Sequence, residues 1–545
     1  MNSLIEKISN LHSGETLLLE KNAVYNVYDD DCVRLTGIYC SNTTTKEENP
    51  TDAKKTAIFL QNKKNVTING NGATVLVHGI LTPVIFLGCE NITLKNLTID
   101  YARPTMSEFT VLENRHGECV LEISEESLFE IENGSLCWVG ERKADGSPRW
   151  KHAYKADDVL SMYFSPEEKK LRFLKREAGD KFPSVPAFSR VEKIGARMVL
   201  ATLKNKEAFL PEGAVIQTRR ITRDEIGGFF NRCKNCVFEE LRVAFFHGLG
   251  LLSQYCENIT FLNCDFTPSR GRTFSSNADL LHFSGCKGKI VVKNCKSYGT
   301  HDDFINVHGT HLKIVAVNEK QRRAIVRFAN PNSRGFQAFS VGDTIEFIRR
   351  DTLLPYHRTK VLRFSKLNDT DVELTLSALP HKTAKNGDCA LADAIGDAVY
   401  NYTQNPRVLI ENNYFGYCAA RGVLCTTRKK AVIRGNVFEN IAGAALLIED
   451  DCNFWYESGY TKNVIFKNNK VIDCGFENGE TNREIAVTPK VLSVAPQKSV
   501  HGKLTITGNK FYAPTKKHEF LFEHIRRVIS KRNFFNGEHT TKFKK

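Results

Sequence analysis

One short pattern returns through the chain: a few β-branched or aromatic residues, then Asn or Cys, then another apolar residue. It reads NVTINGNGATV at 65–75, NITLKNLTI at 91–99, NCVFEELRV at 235–243, NITFLNCDF at 258–266 and KIVVKNCKS at 289–297. It returns as VLIENNYF at 408–415, AVIRGNVF at 431–438, VIFKNNKV at 464–471, LTITGNKF at 504–511 and VISKRNFF at 528–535. Where nothing intervenes the step is regular: Leu241 to Cys264 and Asn413 to Asn436 are 23 residues, and Asn509 to Asn533 is 24. A β-rich period of roughly 20–30 residues marks a solenoid, because one coil cannot bury its own apolar face and stacked coils share a core. The core positions are Val, Ile, Phe and Cys rather than the Leu of a leucine-rich repeat. We therefore expect an all-β fold, a right-handed parallel β-helix. Asn suits the fixed turn, since it tolerates left-handed backbone and its amide can bond to the next coil.

Two stretches lack the repeat, 106–222 and 311–398. Both carry alternating strand patterns such as ECVLEISEE, KKLRFLKRE, RRAIVRFA and DVELTLSAL, which predict antiparallel β-structure. The expected organisation is an N-terminal cap and first coils at 1–105, an inserted β-barrel-like domain at 106–222, central coils at 223–310, a second inserted domain at 311–398 and C-terminal coils at 399–545. NSLIEKISNL at 2–11 predicts a short helix plugging the first coil.

The 16 cysteines follow the repeat: Cys233, Cys256 and Cys286 end strand-like segments, and Cys264 and Cys295 follow the next ones. That recurrence predicts stacked buried thiols, not metal ligands. Eight Asn-x-Ser/Thr sites, among them Asn65, Asn91, Asn96 and Asn258, are explained by the turn. Net charge is 76 − 62 = +14, but the cations are interleaved with acids and no nucleic-acid motif occurs, so no nucleic-acid partner is expected. No apolar run approaches the ~20 residues of a membrane span. The N-terminus lacks a basic segment followed by an apolar one, so we expect a cytoplasmic protein, or a periplasmic or secreted one whose leader was removed.

The stretch SYGTHDDFINVHGT at 297–310 places Asp302 and Asp303 side by side among small and apolar residues. In the repeat register one strip of the solenoid carries His247, His301, Asp302, Asp303 and Arg421. Counting back seven from Cys286 reaches Asp279, and seven from Cys256 reaches Leu249, in the same strip. Asp279 should then stack one coil away, about 4.8 Å, from the aspartate pair. Strand alternation sends Asp302 and Asp303 to opposite faces unless the chain bends between them. Three clustered carboxylates suit a hard cation, or glycoside hydrolysis with one protonated acid and one ionised base.

NAD at 277–279, HDD at 301–303 and HG at 308–309 resemble the Asn-x-Asp, Asp-Asp and His-Gly motifs of polygalacturonase-type β-helix enzymes. The 23-residue step from Asp279 to Asp302, the two insertions and the length look more like glycoside hydrolase family 110. That resemblance implies an inverting exo-α-1,3-galactosidase, acting on blood group B-type and some linear Gal-α-1,3-Gal glycans without cofactor or metal. It implies Asp302 as general acid, with Asp279 and Asp303 holding and activating water. Substrate contacts are expected from His301, His308, Asn277, Arg270, Arg272, Arg421, Glu449, Asp450, Trp455 and His247, whereas Arg223 and Asp224 are read as structural. The expected partners are a carbohydrate and a second copy of the chain. The other readings are a polygalacturonase-like hydrolase, lacking here an Arg-Ile-Lys motif for a uronate, a lyase of acidic polysaccharide, and a non-catalytic glycan-binding β-helix.

Overall fold

The computed structural model describes residues 3–156, 159–174, 186–206, 210–380, 394–477, 479, 482–493, 498–514 and 516–544. They wind into a parallel β-helix with three walls. Two walls are parallel sheets of 11 strands each. The third runs by parallel pairing from Ile58–Gln61 through Ile226–Asn231, Leu249–Gln254, Leu281–Ser284, Ile305–Asn318 and Val423–Cys425 to His539–Lys544. Each coil gives one strand to each wall, so the 23-residue step is one turn of the solenoid.

The register stacks like on like. Cys236, Ile259, Ile290 and Val408 succeed one another in wall one, and all four are buried. At the corner, Asn65, Asn91, Asn235 and Asn258 hold φ of 55°, 56°, 56° and 59°. The amides of Asn91, Asn235 and Asn258 each donate to the Asn before, at 2.8 Å. A second ladder runs Asn413, Asn436, Asn469, Asn509, Asn533 at 2.9–3.1 Å. The thiols of Cys233, Cys256, Cys264, Cys286 and Cys295 lie free and buried in the same core. Helix Ser3–Ser9 buries Leu4, Ile5 and Ile8 against the first coil.

The first insertion forms a seven-stranded antiparallel sheet between Ser107 and Arg220 with its own core around Phe109, Trp138 and Ile216. The second grows from the 14-residue strand Ile305–Asn318. The first half of that strand belongs to wall three, and its second half pairs antiparallel with Arg323–Arg327 and Ala398–Asn401. The second unit therefore closes at Asn401, because Ala398–Asn401 belongs to its sheet rather than to the next coil.

Candidate active site

Between walls two and three a narrow ladder of bridges links Phe246, Ser276, Thr300, Cys418 and Ile441. Three residues beyond each of the first four lie Leu249, Asp279, Asp303 and Arg421. Backbone bonds keep that register: the N–H of Gly250 meets Asp279 O at 2.7 Å, Leu280 meets Asp303 O at 2.8 Å and Phe304 meets Arg421 O at 3.1 Å. Asp279, Asp303 and Arg421 thus form one column on consecutive coils. The chain bends at His301 and Asp302, which swings Asp302 out of strand alternation and into a cleft. The nearest oxygens of Asp279, Asp302 and Asp303 lie within 4.8 Å of one another. The backbone N–H of Asp303 ties the group together, donating to Asp279 Oδ1 at 3.1 Å and Asp302 Oδ1 at 3.2 Å.

The three carboxyls live in different electrostatic settings. Asp303 is fully buried; Arg421 meets it at 2.7 Å through Nε and 2.9 Å through Nη2, and donates its backbone N–H at 3.0 Å. Burial drives the Asp303 carboxyl well upward against the pull of Arg421. Burial and the neighbouring Asp279 raise Asp302, whose charge partner in the cleft is Arg223 at 3.6 Å. Burial would also raise Asp279, but the hydrogen bond and charge of His282, with Arg223 and Arg421 beyond, hold it at about 2. Two carboxyls pushed in opposite directions are the arrangement from which acid and base roles arise.

Hydrogen bonding fixes the proton behind Asp279. His308 Nδ1 lies 2.6 Å from the Gly309 carbonyl, which can only accept, so Nδ1 carries a proton. Burial lowers the pKa of His308. His282 Nε2 lies 2.7 Å from His308 Nε2, close enough for one proton to join the two rings. His282 Nδ1 lies 2.7 Å from Asp279 Oδ2 and donates to it. His282 thus links His308 to the Asp279 carboxyl through both of its ring nitrogens. Asn306 completes the layer, reaching Asp279 Oδ2 at 3.4 Å and Glu457 Oε2 at 3.3 Å.

The cleft has a volume of about 150 Å³, with Asp279, Asp302, Asn306 and Arg421 as its floor and Arg223, Glu449, Trp455 and Glu457 around it. Of the contacts expected from sequence, Arg421, Glu449 and Trp455 line it, and His308 lies one layer beneath. The structure places six others outside the cleft lining. His247 is buried between Thr105 and Asp224. His301 points the other way, its Nε2 2.6 Å from Gln217 of the first insertion. Arg272 is buried against Asp100 at 2.6 Å, and Arg270 is exposed between Asp100 and Glu126. Asn277 is buried in the narrow ladder, and Asp450 is sequestered by His311 at 3.0 Å. Arg223, read as structural, lines the cleft, as do Asn42, Asn306, Asp451 and Glu457. His282 and Asn306 carried a readable signal: they stand three residues after Asp279 and Asp303 and pair in register. Asn42 and Arg223 come from loops and Glu457 from the short strand Glu457–Ser458, which pairs antiparallel with Ile305–Asn318; all three are outside the repeat phase, so periodicity could not place them. As for a hard cation, Arg421 already supplies the positive charge and occupies both oxygens of Asp303.

Residues 323–389 match the family model described as GLAA-B beta-barrel domain II. The chain is 32% identical over 504 residues to "Alpha-1,3-galactosidase A" of Bacteroides fragilis, covering 92% of this chain and 78% of that protein. It is 31% identical over 477 residues to "Alpha-1,3-galactosidase B" of Phocaeicola vulgatus, covering 85% and 76%. Among solved structures, the Streptococcus pneumoniae surface protein and adhesin PfbA aligns with a TM-score of 0.37 at 11% identity, covering 99% of this chain and 94% of that one.

Proposed function

The chain belongs to the family of the α-1,3-galactosidases A and B and is a glycoside hydrolase, and we propose that it removes terminal α-1,3-linked galactose, with inversion, from blood group B-type and linear Gal-α-1,3-Gal glycans. The observation that carries this reading is the pairing, in one cleft, of Asp302, raised toward protonation, with Asp279, held ionised. Asp302 gives its proton to the glycosidic oxygen as that bond breaks. Asp279 takes a proton from water as the water oxygen bonds to the anomeric carbon from the opposite face. Asp303 anchors Arg421 and, through its N–H, keeps the other two carboxyls in place.

The nearest oxygens, within 4.8 Å, are closer than the roughly 6.5–9.5 Å usual for inversion. Asp303 is unsuited to bond to carbon, because both of its oxygens are held by Arg421. Asp279 Oδ1 accepts the Asp303 N–H and keeps a lone pair to take a proton from the attacking water in the proposed inverting course. The lining also favours a neutral sugar: Asp279, Asp302, Glu449, Asp451 and Glu457 outnumber Arg223 and Arg421, so a uronate would be repelled. The small volume takes one terminal ring rather than a chain, and half-exposed Trp455 offers that ring an apolar face. Hydrolysis of a Gal-α-1,3-Gal substrate followed by NMR should release β-galactose first. Release of α-galactose would refute inversion, and no hydrolysis of any α-1,3-galactoside would refute the activity.

A further inference from the structure

Away from the cleft, one strip of wall one gathers unpaired positive charge. Two neighbouring positions at the strand starts can be followed coil by coil. In the early coils the outer position alternates in sign, Lys64, Glu90, Lys234, Glu257, Lys287. Its charges pair, Lys64 with Glu90 and Lys287 with Glu257, each at 3.5 Å. The inner position is the ladder of Asn65, Asn91, Asn235 and Asn258, which ends where Asn258 accepts the backbone N–H of Lys289 at 3.0 Å.

From that coil onward both positions change character. The inner one becomes Lys289, Arg407, Lys430, Asn463, Lys503 and Arg527. The outer one, a residue earlier, carries Lys429, Lys462 and Arg526. All eight cations are at least partly exposed, and among the described residues none forms an ion pair; Lys462 reaches the Tyr402 hydroxyl at 3.2 Å. Adjacent strands are about 4.8 Å apart, and like charges directly opposite destabilise a sheet. The early coils avoid that repulsion at the same positions, so the later coils keep it without any benefit to the fold. An external polyanion removes the penalty.

The strip is narrow and straight, spanning five strand steps or about 24 Å. None of the exposed large hydrophobic side chains belongs to either row, which leaves nothing to insert into lipid. Tyr402, the ring beside it, is covered by Arg358 at 3.9 Å and is closed to base stacking. We propose that this strip binds a linear acidic polysaccharide through its sulfate or carboxylate groups and so holds a glycan polymer while the cleft works on a neutral end. The choice of a glycan rests on membership of a glycoside hydrolase family, not on the proposed galactose specificity or on inversion.

The test uses the whole protein titrated with labelled dextran sulfate, polygalacturonate, neutral dextran, phosphatidylserine vesicles and duplex DNA. Binding to dextran sulfate or polygalacturonate is expected, the two arms separating sulfate from carboxylate, with none to neutral dextran. Affinity should fall about 100-fold between ~50 and ~200 mM salt, the drop that roughly five ionic contacts produce by counterion release. Lys430→Glu with Lys503→Glu should weaken binding more than 10-fold, and Lys430→Gln with Lys503→Gln by less, while kcat/KM on a small α-galactoside stays at the wild-type value. Neither pair should lower the melting temperature, since both relieve repulsion. Unchanged binding in both variants, no binding to either acidic polysaccharide, or tighter binding to vesicles or DNA would overturn the proposal.

Discussion

His282→Asn tests the electrostatics behind the proposed catalytic pair, Asp279 and Asp302. Asn places an amide N–H near the position of imidazole Nδ1, so a hydrogen bond to Asp279 can survive while the positive charge is lost. His282 is faced by Asp279 at 2.7 Å and by His308 at 2.7 Å, with Glu457 beyond at 3.7 Å from His308 and Asp302, Asp303, Arg223 and Arg421 around Asp279. A unit charge about 4 Å away at an effective dielectric near 20 is worth about 4 kcal/mol, or about three pH units. Removing a cation favours the protonated carboxyl, so the sign is upward: the acid limb of kcat/KM should move from near 2 toward about 5. Activity should return as pH rises above the new limb. Stability follows the same group. Held at about 2 against an ordinary 3.8, the Asp279 carboxylate stabilises the fold by about 2 kcal/mol above pH ~4, and that gain disappears as pH falls to about 2. A pH–rate profile of the variant on a chromogenic α-galactoside, with denaturation midpoints at matched pH, checks both. A uniform loss of kcat at every pH with an unmoved acid limb would show that His282 only fills space.

Asp302→Asn should lower kcat about 10²–10⁴-fold by removing the proposed general acid, and thermal melting should show a raised midpoint because a half-buried carboxyl beside Asp279 is gone. Arg421→Ala strands the buried Asp303 carboxyl and should cost about 3 kcal/mol in a urea titration, with Arg421→Lys intermediate, since an ammonium cannot reproduce the two-pronged contact. Adding Asp303→Asn to Arg421→Ala should recover most of that loss, and a strictly additive double-variant cycle would count against the pairing. Trp455→Ala should raise KM about 2–10-fold with little change in kcat, the size of one stacking contact.

The walls were legible because the repeat repeats a physical need. Asn65, Asn91, Asn235 and Asn258 recur in the sequence since each must adopt φ near +55° and bond its neighbour. Any residue in phase with them is placed by counting alone, and that is how Asp279 reached the column of Asp303 and Arg421. Side-chain direction was not legible. His247 and His301 are in the strip by number, yet Thr105, Asp224 and the strand Val215–Arg220 of the first insertion draw them away from the cleft. Loop residues failed for the opposite reason. Arg272 and Asp450 looked exposed and available, but each is buried with a counter-charge that sequence distance hides, Asp100 for one and His311 for the other.

Charge separates the molecule into two regions of opposite sign, and that bears on how the three-carboxylate cluster can work. A basic protein could neutralise an acidic cleft with its own cations; Lys490 does so for Glu449 at 3.5 Å, but the aspartate cluster draws on two arginines. Arg421 is committed to Asp303, and Arg223 stands 3.6 Å from Asp302, too far for a direct hydrogen bond. Asp302 therefore keeps a raised pKa from burial and from Asp279, whereas closer approach by Arg223 would pull it down and remove the acid. His282 does for Asp279 what no guanidinium does for Asp302, which is why adjacent coils push their carboxyls in opposite directions. The eight cations of the wall-one strip sit away from the cleft, where they cannot depress the acid. An enzyme that needs one protonated carboxyl near neutral pH on a +14 chain has to keep most of its positive charge away from that carboxyl.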